Sequence, residues 1–351
     1  MTTYLFLYAI SLYCIARNQD RIASFALLIL MFLVTILRSE SVGADTWTYL
    51  YDFGEHIYDT GFGKDSRGLE VINNLLYYYV YNFNLDRRII LYFYGTITYF
   101  FLFLTSRRYK VRLSYLLFFY LTGSFFIMSL NICRQVASVS IVLYAIPLLF
   151  DNERLKIRDV LCFSLLLVLA GLIHASSLVF LFLLVFRFLK IRKEVLIIVT
   201  GILSFLLLFN IIPFEQLMIW LTPEVYASFK TDVNRNLAVT FFGYFYRAVI
   251  IIVQLCILWQ SNDKKYEVLY AFSVMITCVS MGLDSDVARV FLVFSGIIML
   301  FQCRYFTNNS KDFIARILLI LLIVSSSYFW YTGTSANLTV NPYRTMFSDS
   351  R

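Results

Sequence analysis

Residues 113–150 form an apolar run, bounded by Arg112 and Asp151, that carries one formal charge, Arg134. As a single helix the run would be roughly 57 Å long at ~1.5 Å per residue, against ~30 Å of bilayer hydrocarbon. The pattern therefore predicts a helical hairpin bending near Asn131 to Arg134. Residues 160–186 hold no formal charge and predict a second hairpin, bent at "GLIHASS" (171–177). Val268 to Cys303 predict a third, bent at "GLDSDVAR" (282–289). Glu194 to Ile212 and Leu237 to Trp259 predict single crossings on either side of a polar loop, 213–236. Phe313 to Trp330 is the expected last helix and 331–351 a polar tail.

Near the N-terminus the longest polar stretch is 38–68, an expected loop. The following segment, 69–83, begins with Glu70, Asn73 and Asn74 and is rich in tyrosine. Those residues suit the headgroup region, so an interfacial or re-entrant helix is expected there. The count is about 12 or 13 crossings.

Composition agrees with the pattern: 60% of the 351 residues are hydrophobic and 15% charged, whereas soluble domains are nearer ~25% charged. The expected fold is an all-α, polytopic integral membrane protein with a single transmembrane domain over 1–351. "MTTYLFLYAISLYCIA" has neither a basic leader nor a small-residue cleavage site, so a retained first helix is expected. The net charge of +8 comes from short basic clusters between apolar runs, such as "RRYKVR" and "RFLKIRK". That is the positive-inside pattern, not a nucleic-acid surface. Six cysteines occur without a CxxC pair or metal-like spacing, and are read as small core residues.

With the basic clusters inside, the outer loops collect Asp45, Arg134, His174, Asp284, Asp286, Arg289 and Arg344. Arg247 falls ~15 Å into the helix that follows the 213–236 loop, where a lone charge costs at least ~2.5 kcal/mol. Arginines facing an outer cavity suit a lipid-tailed pyrophosphate, because the guanidinium fork holds phosphate oxygens with paired bonds. Structural readings compete with this. Arg134 snorkels to the interface in one, Arg247 pairs with an acid on another helix, and His174 is satisfied by Ser176 or Ser177. Asp284 and Asp286 cap a helix or pair with Arg289. No GxGxxG, P-loop, GxSxG or HExxH signature is present, so nucleotide-sugar chemistry is not expected.

"SVGADTWTY" (Gly43, Asp45, Tyr49), Glu70, "NICRQVAS" (Asn131, Arg134, Gln135) and "IHASS" (His174, Ser176) follow one another in the chain. In type, order and spacing this set resembles the EpsG-like branch of Wzy-type bacterial polysaccharide polymerases, and the terminal "NPY" with Tyr343 matches as well. The resemblance covers about residues 38–180. "HASS" stands where that family more often has H-x-S-A.

The resemblance implies a glycosyltransferase of the bacterial cytoplasmic membrane that joins oligosaccharide repeats carried on undecaprenyl pyrophosphate at the outer leaflet. It implies no metal and no nucleotide cofactor. The implied partners are the lipid-linked oligosaccharide, membrane lipid and a chain-length regulator protein. On this reading Arg134, Arg247 and Arg289 meet the leaving pyrophosphate. Gln135, Glu70, Tyr49 and Tyr343 join them as substrate contacts. His174 serves as base, with Asp45 or Asp286 as alternatives. The rival readings are a lipid-linked oligosaccharide flippase and a membrane acyltransferase. Four prolines, no evident repeat and polar groups gathered on one side favour a one-sided site over a transport path.

Overall fold

The computed structural model describes residues 1–17, 21–55, 70–123, 125–152, 154–208, 241–280, 292–337 and 339–348. These residues are helical, apart from turns and one isolated antiparallel bridge between Arg38 and Thr345. They cluster into two compact units, Met1–Leu184 with Ser327–Arg351, and Val185–Ser326.

The first unit contains α1 (Thr2–Ala16), α2 (Arg21–Ile36), α3 (Val71–Asn82), α4 (Ile89–Arg108), α5 (Leu113–Thr122), α6 (Phe125–Asn131), α7 (Cys133–Phe150) and α8 (Ile157–Ile173). A 3-10 segment, Ala175–Phe182, follows α8. Helix α7 is the centre of this unit: nearly all its residues are buried, and it packs against α4 and α8. Its Ala137, Ser138, Ser140 and Ala145 are small, which allows close approach. Between membrane helices that approach matters more than hydrophobicity, because lipid is as apolar as a leucine side chain.

The expected hairpin over 113–150 is built differently from two straight arms. Helices α5 and α6 are bent 62° to one another, and the chain breaks again at Ile132 (φ −113°, ψ 55°). The arms also find different partners, α5 lying on α1 and α2 while α7 lies on α4 and α8. The hairpin at "GLIHASS" forms as read: α8 ends at Ile173, His174 is extended (φ −150°, ψ 109°), and the 3-10 segment returns along α8. Helix α3 has 12 residues, about 18 Å, too short to cross ~30 Å of hydrocarbon.

The second unit contains α9 (Lys193–Leu208), α10 (Phe241–Gln260), α11 (Glu267–Ser280) and α12 (Leu292–Asn308). Helix α11 packs on α9, α10 and α12, with Tyr270 stacked on Phe301 at 4.0 Å. Ion pairs Lys193–Glu267 (3.6 Å) and Arg304–Asp263 (2.8 Å) tie its polar end. Helix α13 (Phe313–Ala336) runs past the expected end at Trp330, so the polar tail begins only at Asn337.

Among the described residues, α4, α7 and α13 are long and apolar enough to cross a membrane, and the bent pair α5–α6 makes a fourth. Five further apolar helices of 10–17 residues accompany them. The protein is an all-α, multi-pass membrane protein. The 213–236 loop and the "GLDSDVAR" bend lie outside the described residues. Of the six cysteines, four are buried, Cys256 is half-buried and Cys162 is exposed.

Candidate functional site

The site grows from the segment after α2. Arg38, at its start, is fully buried, donating through Nη1 to the Thr35 carbonyl at 2.5 Å and through Nε to Thr46 Oγ1 at 3.1 Å. Gly43 has φ +98°, and a Cβ there would stand 2.1 Å from the Leu130 carbonyl oxygen, so only glycine fits. Its N–H donates to the Thr339 carbonyl at 2.7 Å, and the next N–H, of Ala44, donates to Asn131 Oδ1 at 2.9 Å. The "GAD" segment is thereby seated on the break between α6 and α7. A single π-helical turn, Thr48–Asp52, then turns Tyr49 and Phe53 inward.

Arg134 stands in the first turn of α7, where the helix dipole disfavours a cation. Glu70, just before α3, compensates it. Glu70 Oε2 accepts a 2.8 Å hydrogen bond from Arg134 Nη1, both side chains being about nine-tenths buried or more. The guanidinium carbon lies 4.7 Å from the Phe53 ring centre and 5.5 Å from that of Tyr49, within cation–π range. Tyr77 and Tyr94 close the wall behind them: Phe53 meets Tyr77 edge-on at 6.1 Å, and Tyr94 hydrogen-bonds Asn73.

The other oxygen of the same carboxylate, Glu70 Oε1, lies 2.8 Å from His174 Nδ1 and accepts from the Ala175 N–H at 3.3 Å. Burial raises the Glu70 pKa. The His174 hydrogen bond, the Arg134 charge and the Ala175 N–H together outweigh that and hold it below its usual value. An ionised carboxylate only accepts hydrogen bonds, so Nδ1 of a neutral His174 carries the proton and Nε2 is left as an acceptor. The imidazole is 24% exposed, against 10% for Arg134 and 7% for Glu70, so the histidine is the member of the trio that meets its surroundings.

The structure thus brings together Arg134, Glu70, His174 and Tyr49 from the expected set, with Asp45 one turn before Tyr49 and its charge felt there. Two surroundings were not read from the sequence. Arg134 is half of a buried ion pair with Glu70, a counter-charge suited to its place at a helix N-terminus. His174 is satisfied by Glu70 rather than by a serine; Ser177 instead hydrogen-bonds Ser138 of α7 and pins the 3-10 segment. Gln135 is buried beside Arg134. Tyr343 lies elsewhere, donating to the Val34 carbonyl at 2.8 Å, with its phenol pushed up to about 12 by burial. Arg247 is on α10, in the other unit. Asp284, Asp286 and Arg289 lie outside the described residues. Phe53 and Arg38 were not expected. A helical-wheel reading cannot find them, because both belong to the irregular segment after α2.

The fold and this buried charged cluster define an integral membrane protein with a built polar site, and comparison with known proteins makes the class specific. The model of the EpsG family matches residues 21–345, so the chain belongs to the EpsG family. Membership gives it a polysaccharide-polymerase role of glycosyltransferase type, and extends the kinship well beyond residues 38–180. No curated protein and no solved structure matches the chain.

Proposed function

We propose that the protein polymerises oligosaccharide repeat units carried on undecaprenyl pyrophosphate, at the outer leaflet of the bacterial cytoplasmic membrane. The observation that carries this reading is the Glu70 carboxylate shared between Arg134 and His174. In the proposed step a hydroxyl of the acceptor repeat attacks the anomeric carbon of the lipid-linked donor. His174 Nε2 takes the hydroxyl proton as the new C–O bond forms, and the bond to pyrophosphate breaks with its electrons leaving on undecaprenyl pyrophosphate. Glu70 is the positioning residue that fixes the tautomer and stabilises the imidazolium. Arg134 keeps Glu70 ionised; its Nε is enclosed and has no hydrogen-bond partner among the described residues, so Arg134 acts on the reaction through Glu70.

Purified full-length protein in proteoliposomes, given undecaprenyl-pyrophosphate-linked repeats, should yield a ladder of longer glycans and free undecaprenyl pyrophosphate. Folded protein that moves the lipid-linked unit between leaflets without making a ladder would overturn this reading in favour of a flippase.

A further inference from the structure

A second polar cluster lies at the opposite end of α4 from Tyr94. The N-terminal half of α4 faces the first site through Tyr94, and α4 has 20 residues, or about 30 Å. Around its last turn is a cavity of about 960 Å³. Arg21 from the start of α2, Arg107 and Lys110 from the end of α4, and Arg112 before α5 line it. No carboxylate is among its described lining residues. Phe25 and Phe103, packed edge-to-face at 6.0 Å, form an apolar wall beside these cations, and Phe25 is 48% exposed.

The backbone at Lys110 adds an independent observation. Helix α4 ends in a Schellman turn: Val111 N–H donates to the Ser106 carbonyl at 3.0 Å and Lys110 N–H to that of Arg107 at 3.3 Å. The turn needs a left-handed residue, and Lys110 supplies it with φ 55°. Glycine is the usual occupant, because a side chain disfavours this conformation. Lys110 thus holds a left-handed position on the wall of a cavity lined by three other cations.

We propose that this cavity binds the phosphate-bearing headgroup of an anionic membrane lipid. The four cations match a phosphate, and Phe25 and Phe103 match the first methylenes of an acyl chain. Helix α4 is about as long as the hydrocarbon is thick, so a cavity at its end suits a headgroup.

The test uses Arg107→Gln/Lys110→Gly, whose second change gives the turn its preferred residue, so the fold is preserved. Native mass spectrometry of the detergent-solubilised full chain, with phosphatidylglycerol or phosphatidylcholine added, reads the bound lipid. The intact protein should retain phosphatidylglycerol over phosphatidylcholine, and the double variant should lose about tenfold or more of that retention. Arg108→Gln, whose guanidinium lies over the Tyr144 ring outside this cavity, should retain lipid as the intact protein does. Equal retention of the two lipids, unchanged retention in the double variant, or an equal loss in Arg108→Gln would overturn the proposal. Displacement of phosphatidylglycerol by millimolar inorganic phosphate would overturn the lipid as its source and assign the site to free phosphate.

Discussion

Glu70 and Arg134 are 64 residues apart in the chain and joined by a 2.8 Å hydrogen bond between buried groups. Such a pair is a poor source of stability, since desolvating both ions offsets most of their attraction, while removing one partner alone costs about 3–5 kcal/mol. Its value here lies in what the carboxylate does with its second oxygen, which faces His174. Replacing Glu70 by Gln keeps the shape but leaves one acceptor oxygen for two donors, Arg134 Nη1 and His174 Nδ1. Polymerisation by Glu70→Gln should fall about 100-fold or more, measured as ladder formation per folded protein. His174→Gln should fall at least as far.

The pH dependence of stability follows from the same carboxyl. Its folded pKa is depressed below the ordinary 4.5, so the stabilisation is fully present above about pH 4.5 and is lost as pH falls through the lower folded value. Thermal unfolding in detergent should be insensitive to this group from pH 7 to about 5 and show its loss at more acid pH. Glu70→Gln should remove that component of the acid decline, seen as a flatter melting-temperature profile below pH 4.5.

Gly43 is the point where the segment after α2 meets the α6–α7 break. A methyl group there collides with the Leu130 carbonyl at 2.1 Å in a backbone conformation that side chains rarely adopt. Gly43→Ala should destabilise by more than about 2 kcal/mol, lowering the melting temperature and the amount of protein in the membrane. Ala44→Gly, one residue on, should not.

The aromatic wall makes a gentler prediction. Phe53→Leu keeps most of the volume but removes the ring face 4.7 Å from the Arg134 guanidinium. A stability loss of about 0.5–2 kcal/mol is expected by chemical denaturation. When Arg134→Met is already present, adding Phe53→Leu should cost less, because only the ring contacts with Tyr49 and Tyr77 remain to be lost.

Much of this architecture was legible in the sequence, and for a physical reason. Apolar length reports membrane helices directly, and a charge inside an apolar run reports a place where something must compensate it. That logic reached Arg134, found the bend at His174 and read 69–83 as too polar at its start to cross. It did not find that Glu70 is the compensating group for Arg134 and the hydrogen-bond partner of His174. Pairings over 64 and 104 residues leave no periodic trace. Arg38 and Phe53 were missed because the segment holding them has no regular repeat. The kink dividing α5 from α6 was missed because bend and straight helix share one apolar pattern.

The central claim is that Glu70 acts through His174, and a double-mutant cycle tests it most directly. Ladder formation from undecaprenyl-pyrophosphate-linked repeats should be measured for the intact protein, Glu70→Gln, His174→Gln and the double variant, each shown to be folded. If the two residues work as one unit, the double variant will be no slower than His174→Gln alone. Losses that multiply, so that the double variant is slower by the product of the two single effects, would contradict the account.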